Sequence, residues 1–172
     1  MTRETLSIAI RFIFLLLLQV LVLNNIDFFG YINPNLYILF VFLYPLEQKR
    51  TNFLLLAFLL GLCVDFFSNS GGIHAAATVF IAYIRLYVLK LVLNKSDIDY
   101  KLFKLGSQQL AKIIVFISVL TFAHHFIMFY LDYFSFKNIN TIAYKSLTTS
   151  IFTIILSILS IVLTTKKEQS NF

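Results

Sequence analysis

The chain is short of most residue types that build a soluble protein or a catalytic centre. Its 172 residues include one cysteine, two prolines, five glycines, no tryptophan and only eight acidic residues. A single cysteine, Cys63, excludes an intrachain disulfide and a zinc site made of cysteine pairs. It is most simply a small apolar packing residue. Charged residues are 13% of the chain, well below the roughly 25% of a globular domain, so a soluble exterior is excluded.

Apolar residues make up 59% of the chain. This predicts an all-α, polytopic membrane protein with one integral membrane domain over residues 1–172. The apolar runs predict six transmembrane helices, at about 8–23, 34–46, 53–67, 74–93, 110–131 and 147–163. A full crossing takes about 20 residues, so the second and third are short. In the second, Asn33 should cap a helix beginning at Pro34, and Pro45 should end or kink it.

Lysine and arginine are distributed unevenly between the links that join these segments. One side carries only Lys137 and Lys145, and the other carries the remaining 12 of the 14: Arg3, Arg11, Lys49, Arg50, Arg85, Lys90, Lys95, Lys101, Lys104, Lys112, Lys166 and Lys167. Positive residues favour the cytoplasmic side, which predicts that both termini are cytoplasmic. The net charge of +6 therefore indicates a bilayer surface rather than nucleic acid, since basic patches interleaved with aromatics are missing.

One carboxylate, Asp65, stands at the end of the apolar run of the third span. An ionised aspartate is costly at the bilayer centre and less costly near its surface. Asp65 could therefore simply face headgroups or cap the next segment. Alternatively, it fixes a tight outer turn by accepting hydrogen bonds from backbone N–H groups around Gly71 and Gly72, with His74 as a further partner.

Small residues mark the face along which the third and fourth helices should pack. Gly61 precedes Asp65 by four positions, so both lie on one helical face. Gly71, Ala75, Thr78 and Ala82 follow at spacings of four, three and four. Small residues at such spacing let helices approach closely in lipid, although chance in an alanine-rich stretch is the alternative. Arg85 continues this face and is expected to extend to the cytoplasmic interface.

Residue patterns typical of membrane enzymes or metal sites are missing. His124 and His125 are adjacent, so on a helix they diverge by about 100° and cannot chelate one ion together. They are expected to make hydrogen bonds between helices. Asp27, Asp65, His74 and Asp132 fall near the outer side, but no motif ties them together. We therefore expect no enzymatic activity, no cofactor and no metal.

Three short motifs within residues 24–93 resemble the rod-shape-determining membrane protein family MreD. They are "GYINPN" at 30–35, "GLCVD" at 61–65 and "SGGIHAAA" at 70–77. The first departs from the family pattern because its proline falls four positions after the glycine. The resemblance implies a six-helix bundle similar to the S-components of energy-coupling-factor importers, and a location in the bacterial cytoplasmic (inner) membrane.

The resemblance also implies a role and partners. The chain would be a non-enzymatic scaffold that binds the bitopic protein MreC within the cell-wall elongation complex. That complex links MreB filaments to the glycosyltransferase RodA and its class B transpeptidase. Pro34, Asp65, Gly71 and Gly72 would be structural or partner-binding positions.

Two other classes remain open. An importer S-component would need an outward-facing polar pocket, and its family often has Ala-x-x-x-Ala in the first span, which "SIAIRFIFLLLLQV" lacks. A membrane enzyme would need clustered acid–base or metal ligands.

Overall fold

The computed structural model describes residues 3–26, 32–94, 98–100, 103, 105–134 and 138–169, with side chains to residue 163. Six α-helices occur in these ranges: α1 (Arg3–Leu21), α2 (Leu39–Leu43), α3 (Arg50–Ser68), α4 (Ile73–Leu93), α5 (Leu110–Tyr133) and α6 (Ile139–Gln169). All except α2 belong to segments that are long and apolar enough to cross a membrane. These five segments support a multi-pass membrane protein. Gly30 and Asp27, which the sequence singled out, lie outside the described residues.

The second predicted span differs most from expectation. Residues 33–35 are not helical, a single 3₁₀ turn covers Leu36–Ile38, and α2 is only five residues long. The expected helix start at Pro34 is therefore wrong. Tyr44 is extended, with φ −65° and ψ 133°, as the residue before Pro45 should be. With prolines at both ends, this stretch forms no long helix.

The segment from residue 32 to residue 44 passes through the interior of the bundle, antiparallel to α1. Gln19 Nε2 near the end of α1 donates to the Pro34 carbonyl at 3.2 Å, and an Arg11 guanidinium nitrogen donates to the Leu43 carbonyl at 2.7 Å. Tyr37, Ile38 and the first residues of α2 are almost fully buried. Irregular backbone is tolerated at membrane depth only when protein or water satisfies it, and here protein side chains do so.

The bundle has two ends, called the turn end and the link end. The turn end holds Asn24, bonded to Ser68 at 2.9 Å, and the α3–α4 turn at residues 69–72. The link end holds Gln48, bonded to Glu4 at 3.2 Å, and the start of α3 at Arg50. The buried segment thus enters near the turn end and leaves near the link end.

Arg85 does not extend to an interface as expected. It is 4% exposed, and its guanidinium donates to the carbonyls of Phe42 at 3.2 Å and Tyr44 at 2.6 Å. The guanidinium carbon also lies 5.1 Å from the centre of the Phe53 ring. Cationic donors are favourable at a helix C-terminus, where the last carbonyls lack partners. Arg85 therefore caps the short helix α2.

A stripe of small polar residues lines the buried face of α6, which packs along α5. Its members are Ser146, Thr149, Ser150, Thr153 and Ser157, all at most 3% exposed. Small side chains allow close helix approach without bulky interdigitation. Their spacing of three and four residues is a local sequence signal for such a face.

We expect Arg85→Met to lower the free energy of unfolding by about 2–4 kcal/mol, because two buried carbonyls lose a charged donor. Unfolding in mixed micelles with increasing SDS measures this. Lys90→Met on the same helix is the matched control, because Lys90 is half-buried and makes no such contact. Equal stability of the two variants would show that Arg85 is not the cap.

Candidate functional site

Asp65 joins the end of α3 to the beginning of α4. Its Oδ1 accepts from the Ser70 hydroxyl at 2.6 Å and from the His74 backbone N–H at 2.9 Å, and lies 3.0 Å from His74 Nδ1. Its Oδ2 accepts from the Ala75 backbone N–H at 2.8 Å. Ile73 is the first helical residue, so these N–H groups belong to the unpaired first turn of α4. A carboxylate at this end of a helix is also favoured by the helix dipole.

This geometry combines two sequence hypotheses for Asp65. The carboxylate caps the following helix, and it pairs with His74 as expected. The donors, however, are the N–H groups of His74 and Ala75 rather than those of Gly71 and Gly72. Asp65 is itself 4% exposed, so it does not face headgroups.

The turn between α3 and α4 requires left-handed backbone at three positions. Asn69, Gly71 and Gly72 have φ of 53°, 67° and 97°. Glycine adopts such values without a steric cost, and asparagine is the next most tolerant residue. No atom lies within 4 Å of a Cβ built on either glycine, so conformation rather than space explains glycine here.

Gly61 is needed for space. A Cβ at this position would lie 2.6 Å from Ala75 Cα and 2.7 Å from the His74 carbonyl oxygen. Both are backbone atoms that cannot rotate away, so α3 and α4 touch backbone to backbone at this point. The predicted close packing of the two helices is present, centred on Gly61 and Asp65.

The small-residue face of α4 is already occupied within the chain. Ala75, Thr78 and Ala82 are at most 4% exposed. Gly71 precedes the helix rather than sharing its face. Pro34 is buried, and its carbonyl is held by Gln19. In this conformation Ala75, Thr78, Ala82 and Pro34 lie inside the protein, whereas Gly71 is exposed in the turn.

Beneath the turn lies a buried polar network centred on Tyr37. The Tyr37 hydroxyl is 2.9 Å from His124 Nε2 and 3.2 Å from the Thr78 hydroxyl. Thr78 also donates to the His74 carbonyl at 2.6 Å, which connects the network to the Asp65 cap. In the part of the chain that the structure describes, His124 Nδ1 has no hydrogen-bond partner.

His125 belongs to a neighbouring branch of this network. Its Nδ1 lies 2.8 Å from the Thr121 carbonyl, and its Nε2 lies 3.3 Å from Asn35 Nδ2. Thr153 on α6 accepts from the Asn35 backbone N–H at 3.2 Å. The two histidines therefore make separate contacts with other parts of the bundle, His124 with Tyr37 and His125 with Asn35 and with Thr153 of α6. The sequence did not identify Tyr37 or Asn35, because the hydrogen-bond partners of their side chains lie more than 40 positions away.

A polar cavity of about 450 Å³ opens at the turn end, between the first residues of the buried segment and the α3–α4 turn. Four asparagines contribute to it, namely Asn24, Asn25, Asn33 and Asn35. The hydroxyls of Ser68 and Ser70 and the imidazole of His74 line the facing side. This volume lies within the range of small-molecule sites, about 300–1,000 Å³.

The described residues contain no group of three or more histidine, cysteine or acidic side chains able to hold a metal ion. What the arrangement provides is a rigid turn, a buried polar network and an open polar cavity. Comparisons with protein-family models, curated proteins and solved structures find no match for this chain.

We expect Gly61→Ala to lower the free energy of unfolding by about 1–3 kcal/mol, because the added methyl group forces α3 and α4 apart. Leu62→Val, at the next position on the exposed side of α3, is the control and should be nearly neutral. The comparison uses unfolding in mixed micelles. If Gly61→Ala were as stable as the control, the backbone contact would be looser than described.

Asp65→Asn should lower the stability of the protein, and Asp65→Leu should lower it further. Asparagine keeps one oxygen for Ser70 and His74 but turns an amide towards the Ala75 N–H, costing about 1–2 kcal/mol. Leucine leaves both N–H groups of the first turn unpaired, costing about 3 kcal/mol or more. Thermal unfolding in detergent ranks the variants. Equal stability of Asn and Leu would contradict the capping role.

Proposed function

We propose that this chain is a non-enzymatic scaffold of the MreD kind, in the bacterial cytoplasmic membrane. The observation that carries the proposal is the convergence of the three motifs behind the resemblance. Asn33 and Asn35 of the first motif line the same cavity as Ser70 and His74 of the third. Asp65 of the second motif then binds Ser70 and His74 directly.

The contacts of these motif residues are typical of structural roles rather than catalytic ones. Every carboxylate oxygen of Asp65 is already used in capping, so it is poorly placed as a general base. His124 and His125 are fully buried and are not among the described residues that line the cavity. Such a network stabilises one arrangement of the helices. A fixed bundle with a preformed outer turn suits a protein that holds partners in place.

In this proposal the turn end faces outward and the link end is cytoplasmic, with both chain termini. The buried segment then acts as a shortened sixth crossing, which keeps the termini on one side. The lysine and arginine distribution supports this orientation, because 12 of the 14 such residues fall on the side that the positive-inside rule predicts to be cytoplasmic. MreC would bind from within the bilayer or from the outer side, and RodA, its transpeptidase and MreB filaments would be reached through the complex.

The outer turn is the part of the scaffold that we expect a partner to contact. Phe66 is 81% exposed and Phe67 60%, just before the turn. The Asp65 cap behind them fixes the backbone of the turn, so the two rings are presented from a rigid base. Large exposed aromatics on a rigid element are favourable binding anchors.

Co-purification in mild detergent from native membranes tests this function. A tagged wild-type chain should recover a bitopic MreC-type protein and the elongation synthase, identified by mass spectrometry. Phe66→Ala should reduce this recovery at unchanged expression, whereas Phe80→Ala should not. Phe80 is also exposed, at 43%, but lies away from the turn on α4. Recovery without either partner class would contradict the scaffold proposal.

An importer S-component is the second candidate, and the cavity is the observation that favours it. Such a protein needs an outward-facing polar pocket, and about 450 Å³ lined by amides and hydroxyls meets that need. The same pull-down separates the two candidates. Recovery of ATP-binding-cassette ATPases with a transmembrane coupling subunit would support the importer and overturn the scaffold.

A further inference from the structure

We propose that the cavity at the turn end binds a neutral sugar, either free or as the head of an uncharged glycolipid. The inference rests on the chemistry of the cavity lining, and it holds whether the chain is a scaffold or an importer subunit.

The lining disfavours an anion. The described residues that line it include no lysine or arginine. The Lys145 ammonium, near the lining residue Phe129, lies over the Phe129 and Tyr133 rings, at 6.0 and 5.1 Å from their centres. The beginning of α4 would otherwise attract an anion, since Ile73 and His74 border the cavity. However, the N–H groups of His74 and Ala75 are already bonded to the Asp65 carboxylate. A second anion there would face the negative charge of Asp65.

The lining also gives little to a cation. Among the described residues that line the cavity, Asp132 is the one carboxylate, and it is exposed to solvent. An exposed carboxylate is well hydrated and attracts a cation weakly. Asp65 lies behind the wall, and its oxygens are occupied by Ser70, His74 and Ala75.

What the lining offers is hydrogen bonding by neutral groups. Carboxamides and hydroxyls both donate and accept. Asn24, Asn35 and Ser70 already bond to Ser68, His125 and Asp65 within the chain, so what they offer a ligand is their remaining acceptor capacity. The Oδ1 atom of Asn33 is buried and has no hydrogen-bond partner in the described part of the chain. A buried acceptor without a partner is costly, and a ligand hydroxyl or amide N–H would remove that cost.

Apolar surface completes a site suited to a sugar ring. Phe67 and Phe129 line the cavity together with Val20 and Ile73. Binding sites commonly combine such surface with a few polar groups that fix orientation. A hexose presents hydroxyls at its edge and C–H groups on its faces, which matches amides beside aromatic rings.

The position of the cavity would admit two kinds of ligand that carry a neutral sugar. It opens at the ends of α3 and α5, beside Ser68 and Asp132, where crossing helices meet the headgroup layer. A free sugar can enter from water, and a glycolipid can enter with its acyl chains beside the bundle.

The test uses the full-length protein and named probes. Saturation-transfer NMR in detergent would measure the binding of two neutral sugars, N-acetylglucosamine and maltose. Glucuronic acid and glucosamine are the anionic and cationic comparisons. Native mass spectrometry after release from nanodiscs would compare diglucosyl diacylglycerol with phosphatidylglycerol of the same acyl chains. Asn33→Leu removes the unpaired acceptor, and Asn52→Leu is its control, because Asn52 is exposed at the link end.

We expect at least one neutral sugar probe to bind in preference to its charged counterparts. Asn33→Leu should weaken that binding about fivefold to tenfold while thermal stability stays the same or rises, because the Oδ1 atom that is removed has no hydrogen-bond partner among the described residues. Binding of a free sugar assigns a soluble ligand, and retention of the glycolipid alone assigns a lipid headgroup. Either result supports the proposal.

Three outcomes would overturn it. One is the absence of binding by every neutral probe, another is a preference for the anionic or cationic probes, and the third is unchanged sugar binding in Asn33→Leu. Recovery of partners in the pull-down is measured separately, so failure of sugar binding leaves the scaffold proposal to its own test.

Discussion

Hydrogen bonding of the irregular backbone between residues 32 and 44 is the constraint on which the rest of the bundle depends. Lipid cannot satisfy exposed N–H and C=O groups, so a broken helix inside a membrane protein must find partners within the protein. Gln19 supplies both a donor and an acceptor at the entrance, through the Pro34 carbonyl and the Tyr37 N–H. Arg11 and Arg85 supply donors at the exit. The surrounding helices are therefore fixed in register by the segment that they enclose.

The same segment connects the inside of the bundle to the α3–α4 turn. Tyr37 contacts Thr78, and Thr78 contacts the carbonyl of His74, whose N–H is held by Asp65. Movement of the turn would thus disturb partners of the buried segment. Such linked polar networks favour a single well-defined arrangement, because a partly satisfied network costs more than an apolar core.

The features that could be predicted from the sequence are those set by residues close together along the chain. Gly61, Asp65 and Ala75 lie within 14 positions of one another on two adjacent helices, so helical periodicity was sufficient to bring them together. Apolar length likewise located the five long helices. The pattern failed where distant residues decide the structure. The apolar composition of residues 34–46 predicts a transmembrane helix, but with two prolines and hydrogen bonds from distant side chains this stretch is a buried, mostly irregular segment. Arg85 is expected at the interface from the sequence, but it lies inside the bundle because the carbonyls of this segment accept hydrogen bonds from it.

The location of the cavity follows from the location of α2 within that segment. The helix starts only at Leu39, after residues 32–35 have passed the turn end without helical structure. Phe40 and Phe42 of α2 are nearly fully buried and fill the half of the bundle near the link end. Towards the turn end, Asn33 and Asn35 line the cavity. An empty apolar void there would lower the stability of the bundle, because the atoms of its walls would lose dispersion contacts. A cavity lined by amides and open to water avoids that cost, and is therefore the arrangement compatible with a short helix placed so far from the turn.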